Sequence, residues 1–298
     1  MSRLDLSIVV TTFNRRQVLS ELLAHLAGQS DLDFQVVVAI DGSTDGTADM
    51  LASLDMPYDL KWVDTRCDGY GLAVARNLGI LAADGRAVAI LDDDSFPRPD
   101  FVREHKRSAR PGVITGGPRE PADAGNTRML WKMAELAKLP REVPMAIPEL
   151  RREWPNAYLI ENNICMLRDD FIGMGLFSER LKMYGYIGQE FFGRAEFLGI
   201  KYQYNHGAGL LHHGEFAGDN GLSTRRKERE TRVADFLRPS LMRPHHYRAQ
   251  VAWAQARVDG KEVAMPAYRA HAIANAPILA ARMLAAAAKR RIRRILRP

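Results

Sequence analysis

Three consecutive carboxylates, Asp92, Asp93 and Asp94, directly follow the apolar run from Ala87 to Leu91. Adjacent like charges repel one another, so a folded chain holds such a cluster together only with a cation or a set of hydrogen-bond donors. Oxygen ligands of this kind suit a hard divalent ion such as Mg²⁺. A solvated turn rich in aspartate is the alternative. The position directly after a buried strand favours the metal site.

Two more groups of polar residues follow apolar runs in the same way. Thr11, Thr12, Phe13, Asn14 and Arg15 end the first run, and the segment Asp41 to Gly46 ends the second. The Asp41 carboxylate can accept hydrogen bonds from a nucleobase or a sugar, and Gly42 allows close approach of a ligand to the backbone. These segments therefore predict a ligand site, although each of them alone could be only a well-capped turn.

The elements that must position these residues alternate between strands and helices. Continuous apolar, β-branched runs predict strands that are buried on both faces, and apolar residues at helical spacing predict helices between them. This order favours an α/β fold with a parallel sheet and helices on both faces, in which ligands bind beyond the carboxyl ends of the strands. The predicted strands are 7–12, 34–40, 60–64 and 87–91, and the helices are 15–28, 45–54 and 71–83.

The second half of the chain has a looser pattern. Long loops around one or two helices are expected from Arg110 to Asn156, including an aromatic and apolar stretch that contains Trp131. A strand is predicted for 157–167, turns around Gly173 and Gly175, a helix for 189–198 and a strand from Lys201 to His212. Residues beyond 222 are predicted to be mostly helical. We therefore divide the chain into a core, 1–220, and a C-terminal helical extension, 221–298.

Four motifs in this order carry a family resemblance. Thr11-Thr12-Phe13-Asn14-Arg15, Asp41-Gly42-Ser43-Thr44-Asp45, Ala75-Arg76-Asn77 and Leu91-Asp92-Asp93-Asp94 together resemble the inverting GT-A glycosyltransferases of family 2, over roughly residues 5–215. The resemblance implies a Rossmann-like, mainly parallel central sheet with helices on both faces. It also implies that a sugar is transferred from a nucleoside-diphosphate sugar, with Mn²⁺ or Mg²⁺ as cofactor.

The resemblance also implies roles for individual residues. Asp94 would bind the metal ion that bridges the diphosphate. A bound divalent ion stabilises the negative charge that develops on a departing phosphate, whatever the family. The nucleotide-sugar site would be formed by residues at the ends of the first, second and fourth strands and in the helix before the aspartates: Thr11, Thr12, Asn14, Arg15, Asp41, Arg76, Asp92 and Asp93.

The general base is the least regular part of the pattern. Many relatives have an adjacent Glu-Asp pair, followed by another acid and an arginine. Aligned on Arg194, that pair falls on Ile187 and Gly188, and a register shifted by two places sets it on Gln189 and Glu190 instead. In either register Glu190 is the nearby carboxylate that remains. An inverting transfer needs a base on the acceptor hydroxyl, so Glu190 is predicted to be catalytic. The alternative is an ordinary helical ion pair between Glu190 and Arg194, four residues apart.

The remaining predicted site residues are less specific. His212 and His213 end a predicted strand, and either could complete the metal site or contact the diphosphate, since histidine serves as a ligand or as a donor. The resemblance places Asn163 on the acceptor side, and we assign Trp131 to the same side.

These observations predict an inverting glycosyltransferase of the hexosyltransferase type, acting on a glycan or lipid-linked acceptor in polysaccharide biosynthesis. A degenerate GT-A domain that binds a nucleotide sugar without turnover is the alternative, because the Glu-Asp pair is missing. A nucleotidyltransferase is disfavoured because no glycine-rich triphosphate loop with a basic residue follows the first strand.

The positive charge is concentrated in the C-terminal segment. The 298 residues have a net charge of +6, but eight of the positive charges follow Glu262, after which no acidic residue occurs. In the segment Ala276 to Leu296, apolar residues form one helical stripe with arginines around it, a pattern typical of an interfacial helix at an anionic membrane. A helix docked on the core is the alternative, and nucleic acid is not an expected partner because no aromatic-basic interleaving accompanies the charge.

The composition of the chain indicates where in the cell the protein is expected. With 46% hydrophobic and 26% charged residues, the chain resembles an average soluble protein. Its two cysteines, Cys67 and Cys165, argue against a disulfide scaffold, and the first residues suit a strand better than a signal peptide. We expect a cytoplasmic protein, peripheral at the inner face of the cell membrane.

Overall fold

A computed structural model describes residues 4–67, 71–121, 137–139, 143–154, 159–179, 187–213 and 244–261. The elements of its first half are β1 (Leu6–Thr12), α1 (Arg16–Leu26), β2 (Gln35–Ile40), α2 (Thr47–Ser53), β3 (Asp59–Asp64), α3 (Leu72–Ala82), β4 (Ala87–Asp92), β5 (Ser95–Pro97) and α4 (Phe101–Ser108). From β1 to β4, strands and helices alternate in the predicted order, and β5 and α4, which were not predicted, follow.

The second half consists of shorter elements. They are β6 (Val113–Gly116), β7 (Arg119–Pro121), β8 (Met145–Ala146), α5 (Ile147–Glu153), β9 (Asn163–Leu167), α6 (Arg168–Met174), α7 (Ile187–Phe197), β10 (Lys201–Tyr204), β11 (Leu210–His212) and α8 (Pro244–Val258).

The central sheet has eight strands in the order β3-β2-β1-β4-β9-β6-β10-β8. β1, β2, β3 and β4 are parallel, and β10 is parallel to β6. β9 runs antiparallel to both of its neighbours, β4 and β6, and β8 runs antiparallel to β10. The sheet is therefore mainly parallel, and the start of β9 lies at the edge where β4 ends.

Both faces of β1, β2 and β4 are buried, which explains the continuous apolar runs of these strands. Successive side chains of a strand point to opposite faces: Val9 packs with α3, α6 and α7, whereas Ile8 and Val10 pack with α1 and α4. Val36 and Val37 divide between the two faces in the same way. The predicted α/β fold class, with helices on both faces of the sheet, is confirmed.

The segment Lys201 to His212, predicted as one strand, is two strands in two sheets. β10 belongs to the central sheet, and β11 pairs with β5 and β7 in a separate three-stranded sheet. The chain turns between them because the Asn205 side chain accepts a hydrogen bond from the Gly207 N–H at 3.0 Å, and the Asn205 carbonyl accepts one from Ala208. This local side-chain bond replaces the ladder hydrogen bonds of a continuous strand.

Two other local predictions differ from the structure. The predicted strand 157–167 is regular only from Asn163 onward, and residues 159–162 precede it as irregular backbone. Gly173, expected in a turn, lies inside α6, whereas Gly175 ends that helix with a positive φ of 89°.

One described helix comes from the predicted C-terminal extension. α8 packs against α3, and its buried Gln250 donates to the carbonyls of Gly175 and Phe177 at 2.9 and 2.8 Å. Within the described part of the chain, no helix combines the length and the apolar character that crossing a membrane requires. The division at residue 220 stays a prediction.

We expect Gly117→Ala to destabilise the protein. Gly117 connects β6 to β7, and a Cβ at this position would lie 1.7 Å from the Ala208 carbonyl oxygen, a backbone atom that cannot rotate away. Overpacking of this kind costs about 1–3 kcal/mol. Gly193→Ala is the matched control, because nothing lies within 4 Å of its Cβ position and alanine favours a helix by up to about 1 kcal/mol. Urea unfolding that ranked Gly117→Ala at or above the wild type would contradict this.

We expect His105 to make the protein less stable in acid. Its side chain on α4 is completely buried, and burial lowers its pKa to about 4, opposed only in part by Asn163. As the pH falls below about 6.5, the unfolded chain binds a proton that the folded chain excludes, so stability falls by about 1.4 kcal/mol per pH unit until the pH reaches the folded pKa. Unfolding free energies measured between pH 7 and 4 should show a flatter slope for His105→Gln. An identical slope for the two proteins would refute the assignment.

Candidate active site

The three aspartates lie where β4 leaves the sheet, beside the end of β1. The Thr12 hydroxyl donates to Asp93 Oδ2 at 2.8 Å. The Arg15 Nη1 lies 2.6 Å from Asp93 Oδ1 and 3.0 Å from Asp94 Oδ2, so one guanidinium joins two carboxylates. This is possible because β1 and β4 are neighbours in parallel register, with Thr11 opposite Asp92. Thr11 itself is buried in the sheet.

Asp92 is held by a second arginine. The Arg76 Nη2 donates to Asp92 Oδ1 at 3.1 Å, and the Asn162 amide donates to Asp92 Oδ2 at 2.7 Å. Arg76 lies on α3, is almost completely buried and has its guanidinium 5.2 Å from the centroid of the Phe177 ring. Asp92 therefore has both carboxylate oxygens occupied by fixed donors.

Burial and the neighbouring charges shift the pKa values of Asp93 and Asp94 in opposite directions. Burial raises the pKa of the Asp93 carboxyl to about 7, although Arg15 opposes the shift. Burial would also raise the pKa of Asp94, but His212 and Arg15 outweigh it and lower that pKa to about 2. Asp94 is therefore the carboxylate of the pair that stays ionised throughout the physiological range.

Asp94 and His212 form the part of the site that could hold a metal ion. The His212 Nε2 lies 3.4 Å from Asp94 Oδ1, a buried oxygen that accepts no hydrogen bond of ordinary geometry from the described residues. β11 pairs with β5, and the His213 N–H donates to the Asp94 carbonyl at 2.9 Å, which fixes this separation. The His213 ring instead packs edge-on against Phe96. The structure thus brings His212, and not the His213 ring, to Asp94.

The donor atoms fit a metal ion that also has substrate ligands. Among the described residues, no three His, Cys, Asp or Glu side chains converge on one point. Mg²⁺-like ions are commonly held by only one or two protein carboxylates, with water and phosphate oxygens as the other ligands. One carboxylate oxygen and one imidazole nitrogen at 3.4 Å suit that arrangement.

The loop after β2 is fixed by the predicted nucleotide-site residues. The Asp41 Oδ2 accepts a hydrogen bond from Gly71 N at 3.0 Å, and its carboxylate is buried. Asn14, with a positive φ of 49°, accepts from Thr44 N at 2.7 Å, and its own N–H donates to the Ser43 hydroxyl at 2.9 Å. The ends of β1 and β2 are therefore joined into one wall beside the aspartates.

Glu190 lies in α7 and forms an ion pair with Arg194. The Arg194 Nε and Nη2 each donate to one Glu190 oxygen at 2.9 Å, and the side chain of Glu190 is 1% exposed. Arg194 also donates to the carbonyls of Met174 and Leu176, which fastens α7 to the end of α6. This geometry favours the helical ion pair that the spacing allowed. The catalytic role of Glu190 stays a prediction.

The two acceptor-side predictions have different outcomes. Trp131 lies outside the described residues. Asn163 is buried at the start of β9, where its amide Nδ2 donates to the carbonyls of Pro118 and Ala208 at 3.1 and 3.0 Å. These bonds tie the segment before β7 to the segment before β11. Asn163 therefore links the central sheet to the three-stranded sheet.

Sequence reasoning missed Glu161. Its Oε1 accepts from the Arg76 Nη1 at 3.3 Å, so it shares with Asp92 the guanidinium of a predicted site residue. It falls inside the predicted strand 157–167, of which Asn163 was the residue assigned to a ligand site. The adjacent polar triplet Glu161, Asn162 and Asn163 was the signal that could have revealed the true start of β9.

The fold is similar to those of known glycosyltransferases. TarS residues 1–349 from S. aureus, in complex with UDP-GlcNAc, superimpose with a TM-score of 0.58 at 15% identity, covering 85% of this chain and 72% of that one. The mannosyltransferase PcManGT from Pyrobaculum calidifontis, in complex with GDP-Man and Mn²⁺, gives 0.55 at 18% identity, covering 95% and 81%. The predicted GT-A fold is confirmed.

Sequence relatives match over part of the chain. Chondroitin synthase from Escherichia coli is 34% identical over 145 residues, which are 48% of this chain and 21% of that protein. Validoxylamine A glucosyltransferase from Streptomyces hygroscopicus subsp. jinggangensis is 36% identical over 127 residues, 39% of this chain and 30% of that enzyme. The chain thus spans less than a third of the length of these relatives.

The family itself is shown by a longer match. Residues 7–172, more than half of the chain, match the family described as Glycosyl transferase family 2. The match contains the ends of β1, β2 and β4, Arg76 and Glu161, and it ends before Glu190 and His212. The geometry at the sheet edge and this match agree, and the chain belongs to glycosyl transferase family 2.

Proposed function

We propose that this chain is an inverting glycosyltransferase that moves a sugar from a nucleoside-diphosphate sugar to a hydroxyl of a glycan or lipid-linked acceptor. The observation that carries the proposal is a pair of possible metal ligands beside Arg15: Asp94 Oδ1 and His212 Nε2, which lie 3.4 Å apart. Relatives named as synthases of chondroitin and of poly-β-1,6-N-acetyl-D-glucosamine support polysaccharide synthesis as its setting.

The wall formed by Asn14, Asp41 and the adjoining backbone is proposed to hold the nucleoside. Its polar atoms are already fixed by hydrogen bonds to Thr44 and Gly71, so little conformational entropy is lost when a ligand binds. Asp93, bonded to Thr12 and Arg15, is proposed to lie against the ribose. Solved neighbours that hold UDP-GlcNAc or GDP-Man support a nucleotide sugar as the ligand, without distinguishing the sugar.

Asp94 and His212 are proposed to hold Mn²⁺ or Mg²⁺ together with diphosphate oxygens of the donor. The bound ion would stabilise, as a Lewis acid, the negative charge of the departing diphosphate. Arg15 keeps Asp94 in place through its 3.0 Å contact, and the low pKa of Asp94 keeps the carboxylate ionised for the ion. The Mn²⁺ complex of the structural neighbour PcManGT supports a divalent ion in this fold.

We expect Asp94→Asn to weaken Mn²⁺-dependent donor binding by more than about tenfold, because a neutral amide oxygen is a poorer ligand than an ionised carboxylate. Titration calorimetry of UDP and GDP, with and without Mn²⁺, measures this difference. Asp49→Asn on the exposed face of α2 is the matched control. Undiminished metal-dependent binding by Asp94→Asn would contradict the metal assignment. Binding of the donor by the wild type without transfer of its sugar to any acceptor, water included, would instead favour the degenerate GT-A domain.

We further propose that residues 221–298 form an extension that binds an anionic membrane at its cytoplasmic face. The segment 276–296 lies outside the described residues, so its charge pattern alone supports this. The excess of arginine and lysine after Glu262 is the supporting observation, because basic residues near an anionic surface each contribute about 1 kcal/mol.

We expect the triple change of Arg290, Arg293 and Arg294 to glutamine to reduce flotation with phosphatidylglycerol vesicles by more than about tenfold, since about 1 kcal/mol is lost per charge. Flotation of the wild type should also fall with salt, because salt screens the attraction. Vesicles of neutral phosphatidylcholine serve as the control. Equal flotation of the variant and the wild type would remove the membrane proposal.

A further inference from the structure

The segment before β9 brings a carboxylate to the edge of the sheet where β1, β2 and β4 end, at which the nucleotide sugar is proposed to bind. β9 is antiparallel to β4, with Asn163 opposite Leu91, so the chain enters β9 at the place where it leaves β4 for the aspartates. Asn162 donates to Asp92 from this segment at 2.7 Å. Glu161, the residue before it, therefore lies beside the same cluster although it is 67 or more positions away in sequence.

The Glu161 carboxylate lies between α3 and the first turn of α7. One guanidinium nitrogen of Arg76 binds Glu161 Oε1 at 3.3 Å, and the other binds Asp92 Oδ1 at 3.1 Å. A Cβ built on Gly188 would lie 2.0 Å from Glu161 Oε2. The volume that a side chain at position 188 would take is thus filled by the Glu161 carboxylate.

Glycine at position 188 is a second, independent observation. In the register aligned on Arg194, one of the two that the sequence allows, Gly188 stands where the resembled pattern has an acid of its Glu-Asp pair. In the structure, a carboxylate is nevertheless present at this place, supplied by the chain before β9.

The other carboxylates near this edge are engaged. Asp92 has donors on both oxygens, and Asp93 is buried between Thr12 and Arg15. Asp94 faces His212, and Glu190 is bound on both oxygens by Arg194. Glu161 accepts only the single bond from Arg76 among the described residues, and its side chain is 24% exposed. It combines a fixed orientation with access for a substrate hydroxyl.

We propose that Glu161, in place of Glu190, is the general base of the transfer, an inference that rests on the proposed function. The acceptor oxygen forms a bond to the anomeric carbon of the donor sugar, and the bond from that carbon to the diphosphate oxygen breaks. The electron pair of the broken bond leaves with the nucleoside diphosphate. The proton of the acceptor hydroxyl passes to the Glu161 carboxylate, which Arg76 holds in place.

The test measures donor hydrolysis, in which water takes the place of the acceptor hydroxyl. Release of UDP from UDP-GlcNAc and of GDP from GDP-mannose is followed in Mn²⁺ with the 298-residue chain. Glu161→Gln should release nucleoside diphosphate at least about 100-fold more slowly, as expected when a general base is removed, while its affinity for the Mn²⁺-donor complex stays within about twofold. Glu196→Gln, which removes a partly exposed carboxylate farther along α7, is the matched control and should retain full turnover.

A relocation experiment separates a base from a merely structural ion pair. Glu161→Gly removes the carboxylate and leaves room at position 188, so adding Gly188→Asp returns an acid to the same place from α7. The double variant should release nucleoside diphosphate at least about tenfold faster than Glu161→Gly alone, recovering part of the contribution of a base.

Three results would overturn the assignment: turnover of Glu161→Gln close to that of the wild type, loss of donor affinity in proportion to turnover, or a folded double variant no faster than Glu161→Gly. All three leave the proposed glycosyltransferase activity standing. A wild-type chain that neither hydrolyses nor transfers any donor would overturn that activity and the base together.

Discussion

Mutual repulsion of the three adjacent carboxylates is the constraint on which the edge of the sheet at the end of β4 depends. Arg15 balances Asp93 and Asp94, and Arg76 balances Asp92 and Glu161. Two guanidinium groups thus face four carboxyl groups. Because burial raises the pKa of Asp93 to about 7 while His212 and Arg15 lower that of Asp94 to about 2, Asp94 is the carboxylate beside Arg15 that stays ionised. The electrostatics and the orientation of His212 point to the same place for a cation.

The packing of α3 makes this balance possible. Arg76 is almost completely buried, so its guanidinium reaches Asp92 only if the helix lies close to the sheet. Gly79 allows that approach: a Cβ there would lie 2.4 Å from the Val9 Cγ1 on β1. Gly79, which has no side chain, thus lets one turn of α3 contact the sheet. Arg76, in the turn before it, places its guanidinium at the end of β4. The core and the site are set by the same helix.

Much of the fold and the position of the cluster could be predicted, because both depend on local pattern. Continuous apolar runs predicted β1, β2 and β4, and the aspartates at the end of β4 followed directly from them. The pattern could not show that the segment 201–212 divides between two sheets, since that depends on the Asn205 turn. It also placed Glu161 inside a strand, because apolar neighbours obscured where β9 begins. Contacts between distant segments, such as that of Arg76 with Glu161, have no signal in a single sequence.

Because β9 runs opposite to β1, β2 and β4, residues reach this edge of the sheet from two kinds of chain segment. β1, β2 and β4 deliver residues to it as the chain leaves the sheet, and β9 delivers residues as the chain enters. A side chain needed at this edge can therefore come from a helix, or from the approach to a strand, with the backbone unchanged. In evolutionary terms, a functional group can change its position in the sequence by substitutions alone, passing through chains that carry it at neither position. Lineages that share this sheet are then free to differ in which segment carries their chemistry.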